Sequence, residues 1–139
     1  GKSEPTSGLA LKTLPLRSRG AEMPDLPEIT DAEMQTILEY AQPYTVSILR
    51  SGPNFGSPEA GQFIKEHGRR TLALRKAGEL AVVLPIRGNA DIHGVGVFDR
   101  DVDTVTKIMN DDPAVQAGVF TFEVYQAEGL PGDALPPAP

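Results

Sequence analysis

The sequence predicts an α+β domain: a four-stranded antiparallel sheet with both helices on one face. Three observations carry this. Four segments are strand-like ("YTVSILR", "ELAVVLPIR", "ADIHGVGVFD" and "GVFTFEVYQ"). Two helical segments fall between the first and second of them and between the third and fourth, giving the order strand, helix, strand, strand, helix, strand. That order is the ferredoxin-like arrangement. Finally, the strands carry apolar residues on both sides: Leu80, Val82 and Leu84 against Ala81 and Val83, and Phe120, Phe122 and Val124 against Val119 and Tyr125. A sheet apolar on both faces must be covered twice. The helices cover one face, and a second copy of the chain is the simplest cover for the other. A homodimer enclosing a two-sheet barrel, the dimeric α/β barrel, is therefore expected. The competing expectation is that an N-terminal helix covers that face within one chain.

Residues 1–28 read as a linker, small and polar at "GKSEPTSG" and punctuated by Pro5, Pro15, Pro24 and Pro27. Such a stretch buries too little apolar surface to offset its ordering entropy. The domain proper is expected over 29–127. It begins with a helix over 30–41, where Thr30 and Glu33 have capping-box spacing and Met34, Ile37 and Leu38 form a stripe that Pro43 ends. The first strand closes at "SGPNFGS". Ser57-Pro58-Glu59 should open the next helix, which runs to about Ala77 with Gly78 as its stop. Arg69, Arg70, Arg75 and Lys76 suit its negative C-terminal end. Gly88-Asn89 signals a short hairpin between the second and third strands. Asp101 and Asp103 begin the last helix, with Val102, Val105, Ile108 and Met109 on one side. Residues 128–139, rich in proline, should be an extended tail.

With 139 residues there is room for one core and not for two ordinary domains. The absence of cysteine excludes disulfides, zinc–thiolate sites and thiol catalysis. No apolar run is long enough for a transmembrane segment. A net charge of −6 and the lack of tryptophan argue against a nucleic-acid partner. Gly1, where a methionine would begin a chain, reads as the remnant of a removed tag. The expectation leans to export, periplasmic or secreted rather than cytoplasmic, with trimming of a disordered start as the other explanation.

Four residues are candidates for chemistry. Ala60, Phe63, Ile64, His67, Thr71 and Leu74 share one helical stripe, so His67 faces the sheet and needs partners for its ring nitrogens. It could serve only as a core histidine bonded to a backbone carbonyl. A carboxylate beside it would fix its tautomer and make it a usable general base. The aspartates of "MNDDPAVQAGVF" could supply that carboxylate, although Asp111-Asp112-Pro113 is also what a plain helix stop looks like. His93, with Asp91 two residues before it, suggests a ligand contact beside the bare strand made by Gly94 and Gly96, where a bulge is the duller explanation. Two histidines far apart are a weak metal signal, and neither a metal nor a cofactor is expected. Arg50, at a strand end next to a loop, could hold an anionic substrate or simply be solvated.

"HGRRTLALRKAGEL", "VFD" and above all "NDDPAVQAGVFTFEVY" resemble the YCII-related family, a branch of the dimeric α/β-barrel proteins, over about residues 44–126. The resemblance implies a ferredoxin-like fold, a dimer and a pocket between sheet and helices. It also implies a histidine–aspartate pair, which by match is His67 and Asp112. Asp111 is then the extra residue. The chain departs from the family where Ile64 replaces an arginine three before the histidine, and where Leu84-Pro85 replaces Gly-Pro. The function expected is small-molecule acid–base chemistry of lyase or isomerase type on a cyclic or aromatic compound. Arg50 or His93 would contact the substrate. The alternatives are a non-catalytic ligand-binding dimer and an interaction protein tethered by its Pro-rich tails.

Overall fold

The computed structural model describes residues 23–139. Its elements are α1 (Asp31–Glu39), β1 (Gln42–Ser51), α2 (Ala60–Lys76), β2 (Leu80–Pro85), β3 (Ile92–Phe98), α3 (Val102–Asn110), α4 (Pro113–Gln116) and β4 (Phe120–Gly129). The expected linker lies mostly outside the described residues. The strand order is β2-β3-β1-β4 and every neighbouring pair is antiparallel, an α+β arrangement compatible with a ferredoxin-like fold. No helix among the described residues is long and apolar enough to cross a membrane.

Period-two alternation along β1 decides which face is the core. Thr45, Ser47 and Leu49 are buried, while Val46, Ile48 and Arg50 alternate with them on the opposite face. On the inner face Phe98 lies opposite Thr45, and Val124 and Phe122 lie opposite Ser47 and Leu49. Against this face pack α2, α3 and α4, with Val105, Ala114, Val119 and Phe98 at the centre. Gly96 is glycine because a side chain there would crowd Ser47 Oγ at 3.0 Å and Leu80 Cδ1 at 3.1 Å. The irregularity expected beside His93 is present: Leu49 lies opposite Gly94 but Arg50 opposite Ile92, so the β1–β3 register shifts at His93. A second shift lies in β2. The register slips between Leu80 and Val82, so Val83 lies opposite Gly96 on Leu80's side of β2, and Val82 and Leu84 turn outward. This corrects the simple alternation expected for β2.

Helix α1 has the full capping box: Thr30 Oγ1 accepts from Glu33 N–H at 3.1 Å and Glu33 answers on Thr30 N–H at 3.2 Å. All nine of its residues are exposed, so it does not cover the sheet's outer face within the chain. Helix α2 starts later than Ser57. The chain passes Ser57–Glu59 as a turn, in which Ala60 N–H donates to Ser57 O, and the N-cap Glu59 makes no side-chain cap bond. Its end is as read from Gly78. With φ +83° that residue closes a Schellman motif, Glu79 N–H donating to Leu74 O and Gly78 N–H to Arg75 O. Between β2 and β3 stands a six-residue loop closing an antiparallel hairpin, pinned by Asn89 Oδ1 accepting from Asp91 N–H and Ile92 N–H.

The largest departure is at Asp112-Pro113. These residues do not merely stop α3. They open α4, with Asp112 as N-cap and Pro113 in the first turn. At the C-terminus, β4 continues to Gly129, two residues into the expected tail.

Candidate active site

Asp112 is 2 % exposed, and each of its carboxylate oxygens has work. Oδ1 accepts from Ala114 N–H at 2.9 Å and Val115 N–H at 3.4 Å, closing the start of α4. Oδ2 meets His67 Nδ1 at 2.8 Å, and Arg70 Nη1 stands 3.6 Å from the same oxygen. Arg70 is on His67's side of α2, three residues on. The pair expected from the sequence is thus in direct contact, and Arg70 joins it. Asp111 is the exposed C-cap of α3 and takes no part.

Burial acts on the Asp112 carboxyl most strongly and raises its pKa. The hydrogen bond and charge of His67, with the N–H groups of Ala114 and Val115, outweigh burial and hold it below the ordinary value. Asp112 is therefore an ionised acceptor, which makes His67 Nδ1 the donor. The other ring nitrogen, Nε2, then carries the lone pair. Its nearest polar neighbour is Thr71 Oγ1 at 3.4 Å, and the edge of Phe120 supports the ring with centroids 5.1 Å apart.

His67 borders two cavities. The inner one, about 40 Å³, reaches Asp112, Arg70 and Met109. The outer one, about 240 Å³, is walled by Leu49, Phe55, Ile64, Val83 and Phe120, with Arg87 among its lining residues. His93 lines the outer cavity too, so the two histidines share one space although they are 26 positions apart in sequence. Phe55 stacks on His93 with centroids 4.4 Å apart, and Phe120 lies 5.6 Å from the same ring. His93 Nε2 is 2.7 Å from Ser51 Oγ, which donates to Ala90 O at 3.0 Å. Burial lowers the His93 pKa, with Asp91 acting weakly the other way. Gly94 lines the cavity, and a Cβ there would meet only ordinary contacts.

Arg50 is not part of this space. It follows Leu49 on β1 and so turns to the outer face, where it pairs with Asp91 at 2.5 Å and Glu123 at 3.3 Å. Strand parity explains the placement, which sets Arg50 apart from the cavity that His67 and His93 share. Asp91, read from sequence as His93's neighbour, is occupied by Arg50. Among the described residues there is no cluster of three or more His, Cys, Asp or Glu that could hold a metal ion. Sequence reading missed Arg70, Ser51, Phe55 and Phe120. Only Arg70 had a signal, its i+3 spacing from His67.

The shifts give stability a signed pH dependence. Lowering His93 makes the folded state bind protons less readily than the unfolded one, so stability should fall as pH drops below about 6.5. The contribution of Asp112 is present above the ordinary carboxyl value, about 3.9, and is lost as pH falls below it through the lowered folded value. Melting temperatures measured across this range should show both limbs, and His93→Phe should flatten only the first. No protein-family model matches the chain, and no curated protein is similar to it at a significant level.

Proposed function

We propose that the protein is a small-molecule enzyme of the YCII-related type, in which His67 is the general base and acid and Asp112 orients it. The observation that carries this reading is the 2.8 Å contact between His67 Nδ1 and Asp112 Oδ2, made beside a cavity that His67 also lines. A substrate C–H or O–H placed in the outer cavity would give its proton to Nε2. The imidazolium so formed keeps its Nδ1–H bonded to a carboxylate that is already ionised, and the proton is returned at another atom of the product. Apolar aromatic walls suit a cyclic or aromatic body, and lyase or isomerase chemistry needs no more than this proton transfer. On a panel of phenols, lactones and enol compounds, His67→Asn should lower turnover by roughly 10²–10⁴-fold with ligand binding retained. Equal turnover by the variant would refute the assignment.

One observation favours a second reading, a binding module without catalysis. The carboxylate of Asp112 also caps α4, so the pair ties two helices together whether or not it moves protons. Absence of turnover on the whole panel, with ligands still raising the melting temperature, would establish that reading instead.

The outer face of the sheet supports a homodimer. Val46, Ile48, Val82, Leu84, Val95 and Tyr125 lie there, with Leu84 40 % and Tyr125 53 % exposed. Sedimentation should give a dimer that Val97→Glu, at the centre of that face, converts to monomer. A monomeric wild type would end this proposal.

A further inference from the structure

The hydroxyl of Ser51 has a single proton, and Ala90 O takes it at 3.0 Å. The 2.7 Å contact with His93 Nε2 must then run the other way, Nε2–H donating to Ser51 Oγ. This leaves Nδ1 as the acceptor of His93. His67 has the opposite tautomer, with Nδ1–H held by Asp112 and Nε2 as acceptor. One cavity of about 240 Å³ is therefore lined by two imidazoles of opposite tautomer, each with one N–H committed to the protein and the other nitrogen as acceptor. Phe55 and Phe120 hold the two rings in place, and the remaining walls are mainly apolar.

We propose that this cavity takes a neutral planar ligand with two hydrogen-bond donors, of the diphenol or enediol class, one hydroxyl meeting each histidine. The inference rests on the outer cavity being the functional site, and it names the substrate class of that site. An anionic ligand finds less there: Arg70 is engaged by Asp112, Arg50 faces outward with two carboxylates, and Arg87 is exposed and has an interaction of its own. In this assignment Ser51 is a positioning residue, acting on the ligand only through the tautomer of His93.

The test titrates the full chain with hydroquinone, resorcinol and catechol, with the dimethyl ether of each, and with benzoate, by calorimetry. At least one diphenol should bind about tenfold or more tighter than its ether, since the ether offers no proton to either acceptor. His93→Phe should remove a large part of that diphenol's advantage over its ether and leave the ether unchanged. Ser51→Ala, the milder variant, should weaken the diphenol and let Nδ1-protonated His93 appear in nitrogen-15 spectra. Gly94→Val fills the cavity from a position where a Cβ meets Leu84 O at an ordinary 3.6 Å, and it should abolish binding of diphenol and ether alike. Equal affinity for diphenols and ethers would overturn the proposal. So would tighter binding of benzoate, or indifference to His93→Phe and Gly94→Val. A diphenol bound as described but never turned over would leave this inference standing and count against catalysis. Turnover of an anionic compound alone would do the reverse.

Discussion

Asp112→Asn should fold and yet lose nearly all proton-transfer activity, whereas Asp112→Ala should lose the fold's stability as well. The amide oxygen of an asparagine can still cap α4 by accepting from Ala114 N–H, so stability should change by about 1 kcal/mol. Its NH₂ group would then face His67 Nδ1. Two donors cannot share that contact, so the imidazole proton moves to Nε2 and the base is gone. An orienting carboxylate turned into an amide in this way costs roughly 10³–10⁴-fold in rate. Alanine removes both oxygens, stranding the cap N–H groups of α4 and the Nδ1–H of His67 in a buried setting. That should cost about 2–4 kcal/mol and lower the melting temperature by roughly 10–20 °C. Thermal denaturation and turnover on the same two variants separate orientation from packing. Equal turnover in Asp112→Asn and wild type would remove Asp112 from the chemistry.

The largest effect on stability away from the pair is expected at Gly52. A Cβ there would stand 2.3 Å from Gly118 O and 2.9 Å from Gly118 C, both backbone atoms that no rotamer can move aside. The two segments are stitched together around this point, Gly52 N–H donating to Val119 O and Asn54 N–H to Gly118 O, both at 2.8 Å, and Asn54 Nδ2 to Ala117 O at 2.9 Å. Gly118 itself has φ +74°, so it cannot readily turn away with another residue's conformation. Gly52→Ala should cost about 3–5 kcal/mol. Phe55 follows in the same loop and stacks on His93, so the cavity wall should loosen as the seam opens. Gly56→Ala is the control: a Cβ there meets nothing within 4 Å, and the change should stay within about 0.5 kcal/mol. Chemical denaturation of both variants checks the pair.

How far the sequence could be read follows from the range over which each feature is decided. The order of the strands and of the longer helices follows local patterning, and the capping box at Thr30 and Glu33 and the stop at Gly78 rest on neighbours within one turn and are where that patterning puts them. The inward turn of His67 follows from a stripe over one helix, which is also local. Asp112 was ambiguous for a physical reason. An aspartate followed by proline ends one helix and begins another equally well, and only the packing of α4 against α2 makes it the second. Strand faces were less legible. The slip between Leu80 and Val82 reverses Val83, and no residue in "ELAVVLPIR" marks it. The fate of Arg50 depended on strand parity and on Asp91 arriving from a loop 41 positions away. The gathering of Phe55, His93 and Phe120 into one wall, with Ser51 bonded to His93, is a product of strand pairing and the seam at Gly52, contacts of long sequence separation that composition does not encode.

The account turns on which nitrogen of His67 carries the proton. Long-range proton–nitrogen-15 correlation of the imidazole rings at mildly alkaline pH reads this directly, with no substrate required. His67 should be protonated at Nδ1 and bare at Nε2 in the wild type, and the reverse in Asp112→Asn. A wild-type His67 protonated at Nε2, or a tautomer indifferent to Asp112→Asn, would contradict the assignment of the pair as the acid–base centre.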